Sequence, residues 1–267
     1  MLVLSTTLLL FALTTIAVAA LDGSNRWHVK TTAAYSGDGT LSIESPSTRG
    51  RHHLFLFLSR SNAIAPFRLE NAGWTRLGEC VKSKNRQRKC WLAKDCVRYS
   101  RDSNFKRNSY CEKFPDGSPG IDLSTAVFYK KARRSEPSYE FALKGSAPSW
   151  AVLVAVDAGV NAMQPVRDIA TNGCDKIPQS AFPSVGGNKG DILLLSMAFD
   201  DYFPLRRKKF EAPPGTSILG FAPGDADMGY VYGGTLEQTG ETGVLTTVGD
   251  GGSKCKDALI AIALRVD

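Results

Sequence analysis

Histidine is scarce, with three residues in a chain of 267. His-based metal centres and histidine general bases therefore have little to draw on. The common catalytic signatures are missing as well. There is no Gly-x-Ser-x-Gly elbow, no His-Glu-x-x-His, no Gly-x-x-x-x-Gly-Lys-[Ser/Thr], and no Gly-x-Gly-x-x-Gly after a strand. No Asn-x-Ser/Thr sequon occurs, which excludes conventional N-glycosylation. No window longer than a few residues keeps a helical period with caps, and no fixed-period repeat runs through the chain. Residues 1–20 lack Lys, Arg, Asp and Glu altogether. Beyond them, no stretch is long and apolar enough to span a bilayer.

That uncharged start reads as a signal peptide over residues 1–20. Its apolar run, Leu8–Leu13, is too short for a membrane span, and the small residues Ala17, Ala19 and Ala20 follow it. The mature chain, residues 21–267, is expected to be secreted, soluble and extracellular. An oxidising compartment changes the reading of the six cysteines, Cys80, Cys90, Cys96, Cys111, Cys174 and Cys255. An even count there favours disulfides over free thiols. A zinc site would need closer pairs than Cys90 and Cys96 provide, so no metal is expected. Six cysteines allow fifteen connectivities. The simplest grouping closes the first four among themselves and joins Cys174 to Cys255, a long loop worth about 4 kcal/mol in the chain-entropy model.

Short runs rich in β-branched, aromatic or Leu residues, bounded by Gly, Pro, Asn or Asp, predict strands along the chain. They are Thr40–Glu44, His53–Ser59, Gly73–Gly78, Ser124–Ala132, Ser138–Lys144, Trp150–Asp157, Asp191–Phe199, Thr216–Phe221, Gly229–Leu236, Gly243–Val248 and Ala258–Val266. Tyr139, Phe141 and Leu143 alternate with Ser138, Glu140 and Ala142, and Val152, Val154 and Val156 repeat the pattern. Asp191–Phe199 is almost wholly apolar, as a strand buried on both faces is. The expected class is all-β, an antiparallel β-sandwich.

Several of these pieces recur in a known order: Leu54–Arg60; Gly73-Trp74-Thr75; Ala132 with Glu136-Pro137-Ser138-Tyr139 and Phe141; Trp150–Val160 with Pro165; Ile192–Phe199; Pro213-Pro214-Gly215; and Thr239-Gly240 with Gly243. The chain resembles, over roughly residues 30–267, an uncharacterised extracellular β-sandwich module, jelly-roll-like, found in secreted bacterial and phage proteins. The resemblance implies a fold and transfers no catalytic residue. One departure from it is plain. Between the Gly-Trp-Thr segment and Ser124 the family has a modest loop, whereas this chain carries an insertion over residues 80–123 with four of the six cysteines.

The insertion also holds the charge. Lys82, Lys84, Arg86, Arg88, Lys89, Lys94, Arg98, Arg101, Lys106 and Arg107 stand against Asp95 and Asp102, a balance of +8 between Cys80 and Cys111. The whole chain is +7, so the remainder is close to neutral. One sign of charge gathered on one cross-linked segment attracts anions. Trp91, Tyr99, Phe105 and Tyr110 lie among the cations; Trp91, Tyr99 and Tyr110 are candidates for stacking on sugar rings, or for packing around the disulfides. A solvated loop that only keeps the protein in solution is the competing reading. Two smaller clusters, Lys130-Lys131-Ala132-Arg133-Arg134 and Arg206-Arg207-Lys208-Lys209, read as solvated loops.

For catalysis little is left. His52 and His53 are adjacent in a strand, so they point to opposite faces and do not share an ion; they and His28 read as structural or surface residues. Asp200-Asp201 is a candidate half of a glycosidase pair with Asp225, Asp227 or Glu237, which only their separation decides. Gly224–Asp227 lacks the remaining ligands of a calcium loop. The expectation is a secreted, non-enzymatic binding protein that recognises an anionic polysaccharide or cell surface through its basic insertion, without catalytic residues, metal or cofactor. Exported nucleic-acid binding is disfavoured, because no nucleic-acid motif is present. A structural or oligomeric surface module and a carbohydrate-active enzyme are the alternatives.

Overall fold

The structure is a computed structural model. It describes residues 27–34, 40–45, 53–63, 73–83, 88–92, 121–132, 138–142, 149–156, 160–161, 163–173, 181–200, 211–223, 227–247 and 257–266. Among these residues every regular element is a strand: β1 (Trp27–Ala34), β2 (Thr40–Glu44), β3 (His53–Ala63), β4 (Thr75–Ser83), β5 (Arg88–Leu92), β6 (Ile121–Lys131), β7 (Ser138–Ala142), β8 (Ser149–Val156), β9 (Val166–Gly173), β10 (Ala181–Phe182), β11 (Gly186–Gly187), β12 (Ile192–Asp200), β13 (Thr216–Pro223), β14 (Asp227–Thr235), β15 (Gly240–Glu241), β16 (Leu245–Thr246) and β17 (Asp257–Leu264). The protein is all-β and its sheets are antiparallel. No helix of the described residues is long and apolar enough to cross a membrane.

Two large sheets carry most of the strands. One has the order β1-β8-β3-β6-β4-β5 and the other β13-β14-β12-β17-β9. Two-stranded pairs β2-β7, β10-β16 and β11-β15 accompany them. The composition of the long strands follows from what lies on each face. In β3, Phe55 and Phe57 join a cluster with Trp150, Val152, Val154, Leu194, Val231, Ile260 and Ile262, residues drawn from both large sheets. Leu54, Leu56 and Leu58 of the same strand enter a separate cluster with Leu41, Ile43 and Tyr139 of the β2-β7 pair. A period of two therefore sorts the run Leu-Phe-Leu-Phe-Leu into two cores.

The same sorting occurs elsewhere. The valines of β8 face the shared cluster while Ala151, Leu153 and Ala155 face β2-β7, so every residue of that strand is buried. In β12, Leu193, Leu195 and Met197 join Phe182, Tyr230 and Tyr232 on the side opposite Ile192 and Leu194. The expectation of two-sided burial for the Asp191–Phe199 run is met over the residues whose side chains are described. Tyr139 is buried, with Ser138 and Glu140 exposed on either side, as the alternation required.

Every expected strand has a counterpart, and β2 has the expected limits. Gly243–Val248 shortens to the two residues of β16. Both ends of the expected insertion belong to the sheet: β4 continues through Cys80 to Ser83, β5 returns from Arg88, and β6 starts at Ile121. Lys130 and Lys131 likewise sit in β6, not in a solvated loop. The Lys130 ammonium lies 5.7 Å from the Trp74 ring centroid and 5.1 Å from that of Tyr139, so it caps an aromatic pair. Arg133, Arg134 and residues 206–209 fall outside the described residues.

Candidate anion-binding hairpin

The cationic segment begins as a continuation of the sheet. Gly73 turns the chain with φ +78°, a left-handed conformation that only glycine adopts freely, and Trp74 is buried immediately after it. β4 then pairs with β6 on one side and β5 on the other. The β4-β5 register sets Gly78 opposite Leu92, Glu79 opposite Trp91, Cys80 opposite Cys90, Val81 opposite Lys89, and Lys82 opposite Arg88. β5 is the edge of its sheet and packs against β9, an edge of the other large sheet.

The alternation of strand faces makes one side of this hairpin chemically simple. Gly78, Cys80 and Lys82 share a face with Leu92, Cys90 and Arg88, and across the ladder with Val127, Thr125 and Leu123 of β6. At Val127 that face belongs to the core shared by the large sheets. Two positions further out it has become Lys82 beside Arg88. No acid occupies any of these register positions. Like charges set directly opposite one another destabilise a ladder by about 0.2–1 kcal/mol, and an anion between them removes that cost. Cations on an edge strand also discourage pairing with other chains, which is the non-binding use of the same residues. Lys89 lies on the opposite face, where Glu79 is its diagonal neighbour.

Trp91 stands on that second face with Lys89, one ladder step from the Lys82–Arg88 pair's side. The other cations expected in the site (Lys84, Arg86, Lys94, Arg98, Arg101, Lys106 and Arg107) lie outside the described residues. So do Tyr99, Phe105, Tyr110, Cys96, Cys111, Cys174, Cys255, His52 and the signal segment 1–20.

The candidate acids separate into two places. Asp200 at the end of β12 is directly opposite Asp227 at the start of β14. Glu237 follows the other end of that pairing, where Ile192 meets Thr235. Eight strand steps of about 3.4 Å separate Ile192 from Asp200, roughly 27 Å. Glycosidase carboxylates stand no more than about 9.5 Å apart, so Asp200 and Glu237 do not form such a pair. Glu237 instead borders a groove of about 470 Å³ with Glu241, Gln238, Thr216 and Thr242. Glu241 is engaged there, its Oε2 accepting a hydrogen bond of 2.7 Å from Ser184 Oγ. Asp201 and Asp225 lie outside the described residues. Among the described residues no three His, Cys, Asp or Glu side chains gather as a metal ion requires.

The opposed Asp200 and Asp227 should repel each other. Asp227→Asn is expected to raise the denaturant midpoint at pH 7 by the equivalent of about 0.2–1 kcal/mol. A lower midpoint would show that the two carboxyls share a proton or a cation.

His53 is structural: it is buried, its Nδ1 lies 2.9 Å from the Tyr129 hydroxyl, and the two rings stack at 5.8 Å. Burial pushes the Tyr129 phenol above its ordinary pKa. A functional group that the sequence analysis passed over is Asp191, 1% exposed, which pairs with Arg167 of β9. It also accepts hydrogen bonds from the amides of Asn188 at 2.8 Å and Val266 at 3.0 Å. Burial drives its carboxyl up, but the Arg167 and amide hydrogen bonds, with the guanidinium charge, outweigh that and hold it below the usual carboxylate range. Only the Gly190-Asp191 boundary before an apolar run signalled it, and that signal reads equally as a turn. No protein-family model, curated protein or solved structure matches the chain.

Proposed function

We propose that this is an exported, non-enzymatic β-sandwich protein that binds an anionic polysaccharide or an anionic cell surface through the hairpin β4-β5 and the cationic segment it opens. The sandwich consists of the two large sheets on either side of the cluster containing Phe55, Trp150 and Val231. One observation carries the reading. Lys82 and Arg88 oppose each other at the outer end of a strand face with no acid among its register positions. The arm from Cys80 to Cys111 holds +8 while the rest of the chain is nearly neutral. A long polyanion fits this arrangement because it neutralises a row of cations and releases its own counterions on binding.

The test is chromatography of the mature, oxidised protein on a sulfated-polysaccharide resin. Wild type should elute at a salt concentration well above that of the variant Lys82→Glu/Arg88→Glu/Lys89→Glu. Three lost contacts should flatten the dependence of log affinity on log salt by about three units, since each contact contributes about one. Circular dichroism and thermal melting check that the variant still folds. Co-elution of a folded variant with wild type would end the proposal.

A carbohydrate-active reading is favoured by a single feature, the opposed Asp200 and Asp227. Directly opposed antiparallel residues place their Cβ atoms about 4.5–5.5 Å apart, which overlaps the spacing of retaining glycosidase carboxylates. Turnover of a chromogenic glycoside that disappears in Asp200→Asn would bring this reading forward.

A further inference from the structure

We propose that Cys80 and Cys90 are joined by a disulfide across the β4-β5 ladder. The register makes them direct partners, and both sit inside regular strands. Opposed antiparallel residues have Cα atoms about 5.5 Å apart at hydrogen-bonded positions and about 4.5 Å apart at the others. Disulfides span Cα separations of about 4.4–6.8 Å, so either kind of position accepts the bond. Direct partners also share a face, so their Cα–Cβ bonds leave the sheet on the same side. Any other connectivity for either cysteine would leave a second thiol standing beside this one in the ladder.

The bond has two consequences. It reduces the unassigned cysteines to four, whose pairings number three instead of the fifteen open to all six. It also ties the strands together one same-face step before Lys82 and Arg88, where like charges push them apart. The inference rests on register and is independent of whether the cations bind anything.

Formation is an oxidation. Two thiols lose two protons and two electrons as the S–S bond forms, and a small-molecule disulfide such as oxidised glutathione takes up both and becomes two thiols.

The experiment is a disulfide map of the full-length mature protein after equilibration in a glutathione redox buffer. The protein is alkylated without reductant and digested with trypsin. Cleavage after Arg76, Lys82, Lys89 and Lys94 releases Leu77–Lys82 and Cys90–Lys94 as separate peptides. The expected product is these two peptides linked in one species that divides on reduction. Alkylation of Cys80 or Cys90 before reduction would overturn the proposal. So would linkage of either to the peptides Asp95–Arg98, Asn108–Lys113, Asp168–Lys176 or Cys255-Lys256. Because the oxidant is supplied, the result does not depend on the route of export.

Discussion

Gly229→Ala is expected to destabilise the protein more than any other single methyl addition at a described glycine. A Cβ at this position would lie 1.8, 2.0 and 2.2 Å from three atoms of the Trp150 indole. Real Cβ contacts essentially never fall below 3.0 Å, so something must move. What would move is decided by what surrounds the ring. Trp150 is 4% exposed and belongs to the cluster shared by the large sheets, so the indole has no solvent side to swing into. β14 cannot recede either, being paired on both sides by β12 and β13. Overpacking of a core costs about 1–3 kcal/mol and occasionally more; a rigid bicyclic ring between two sheets puts this case at or above about 3 kcal/mol.

Gly233→Ala makes a useful contrast. Its Cβ would meet Leu219 Cδ1 at 2.4 Å, but that atom ends a flexible side chain on the neighbouring strand, and the cost should be the smaller of the two. Denaturant midpoints of both variants test the ranking. A second test is Trp150→Leu, which alone costs several kcal/mol through the cavity it leaves. Adding Gly229→Ala to it should cost far less than in wild type, because the obstructing ring is gone. Wild-type stability in Gly229→Ala would mean that the indole does not rest on that backbone.

How much of this was legible beforehand depends on which residues carry the signal. β2, β7 and β8 are local patterns: Tyr139 between Ser138 and Glu140 states its own face, and the valines of β8 state theirs. The second buried face of β8 is not local. Ala151, Leu153 and Ala155 are buried because β2-β7 covers them, and nothing near them in the chain announces a cover. β9 escaped for a similar reason. Arg167 and Asp168 interrupt its apolar run, and Arg167 is acceptable there because Asp191, distant in the chain, neutralises it. β5 was hidden in a cationic stretch that read as loop, yet its partner β4 is close by and the two align Cys80 with Cys90.

The candidate acids show the same limit. Residue types named Asp200 as a possible partner of Asp227 or Glu237, but only strand register could bring one of them near and send the other to the far end of the sheet. The balance of charge in the Cys80–Cys111 segment needed no structure. That Lys82 meets Arg88 did.

Asp191→Asn should produce the second largest loss, about 3 kcal/mol at neutral pH. Removing one partner of a buried ion pair costs about 3–5 kcal/mol because the other charge is stranded. Arg167, whose side chain is 24% exposed, keeps some contact with water, which places the cost at the lower end. The carboxylate also accepts from Asn188 N, Val266 N and, at 3.4 Å, Arg167 Nη2. Asparagine retains one acceptor oxygen but turns a donor toward one of these donors. The turn before β12 and the segment after β17 then lose a common anchor.

The pH dependence gives the prediction its sign. The folded carboxyl titrates below its unfolded value of about 3.9. Its contribution is therefore complete above that value and is lost as pH falls through the lower, folded one. Wild type should be several degrees more heat-stable than Asp191→Asn at pH 7, and the gap should close as the pH is taken below about 4. A gap that stays constant across that range would assign the loss to the shape of the asparagine amide. A gap that closes assigns it to the charge, and makes Asp191 with Arg167 the electrostatic tie between β9, the turn at Asn188 and the chain at Val266.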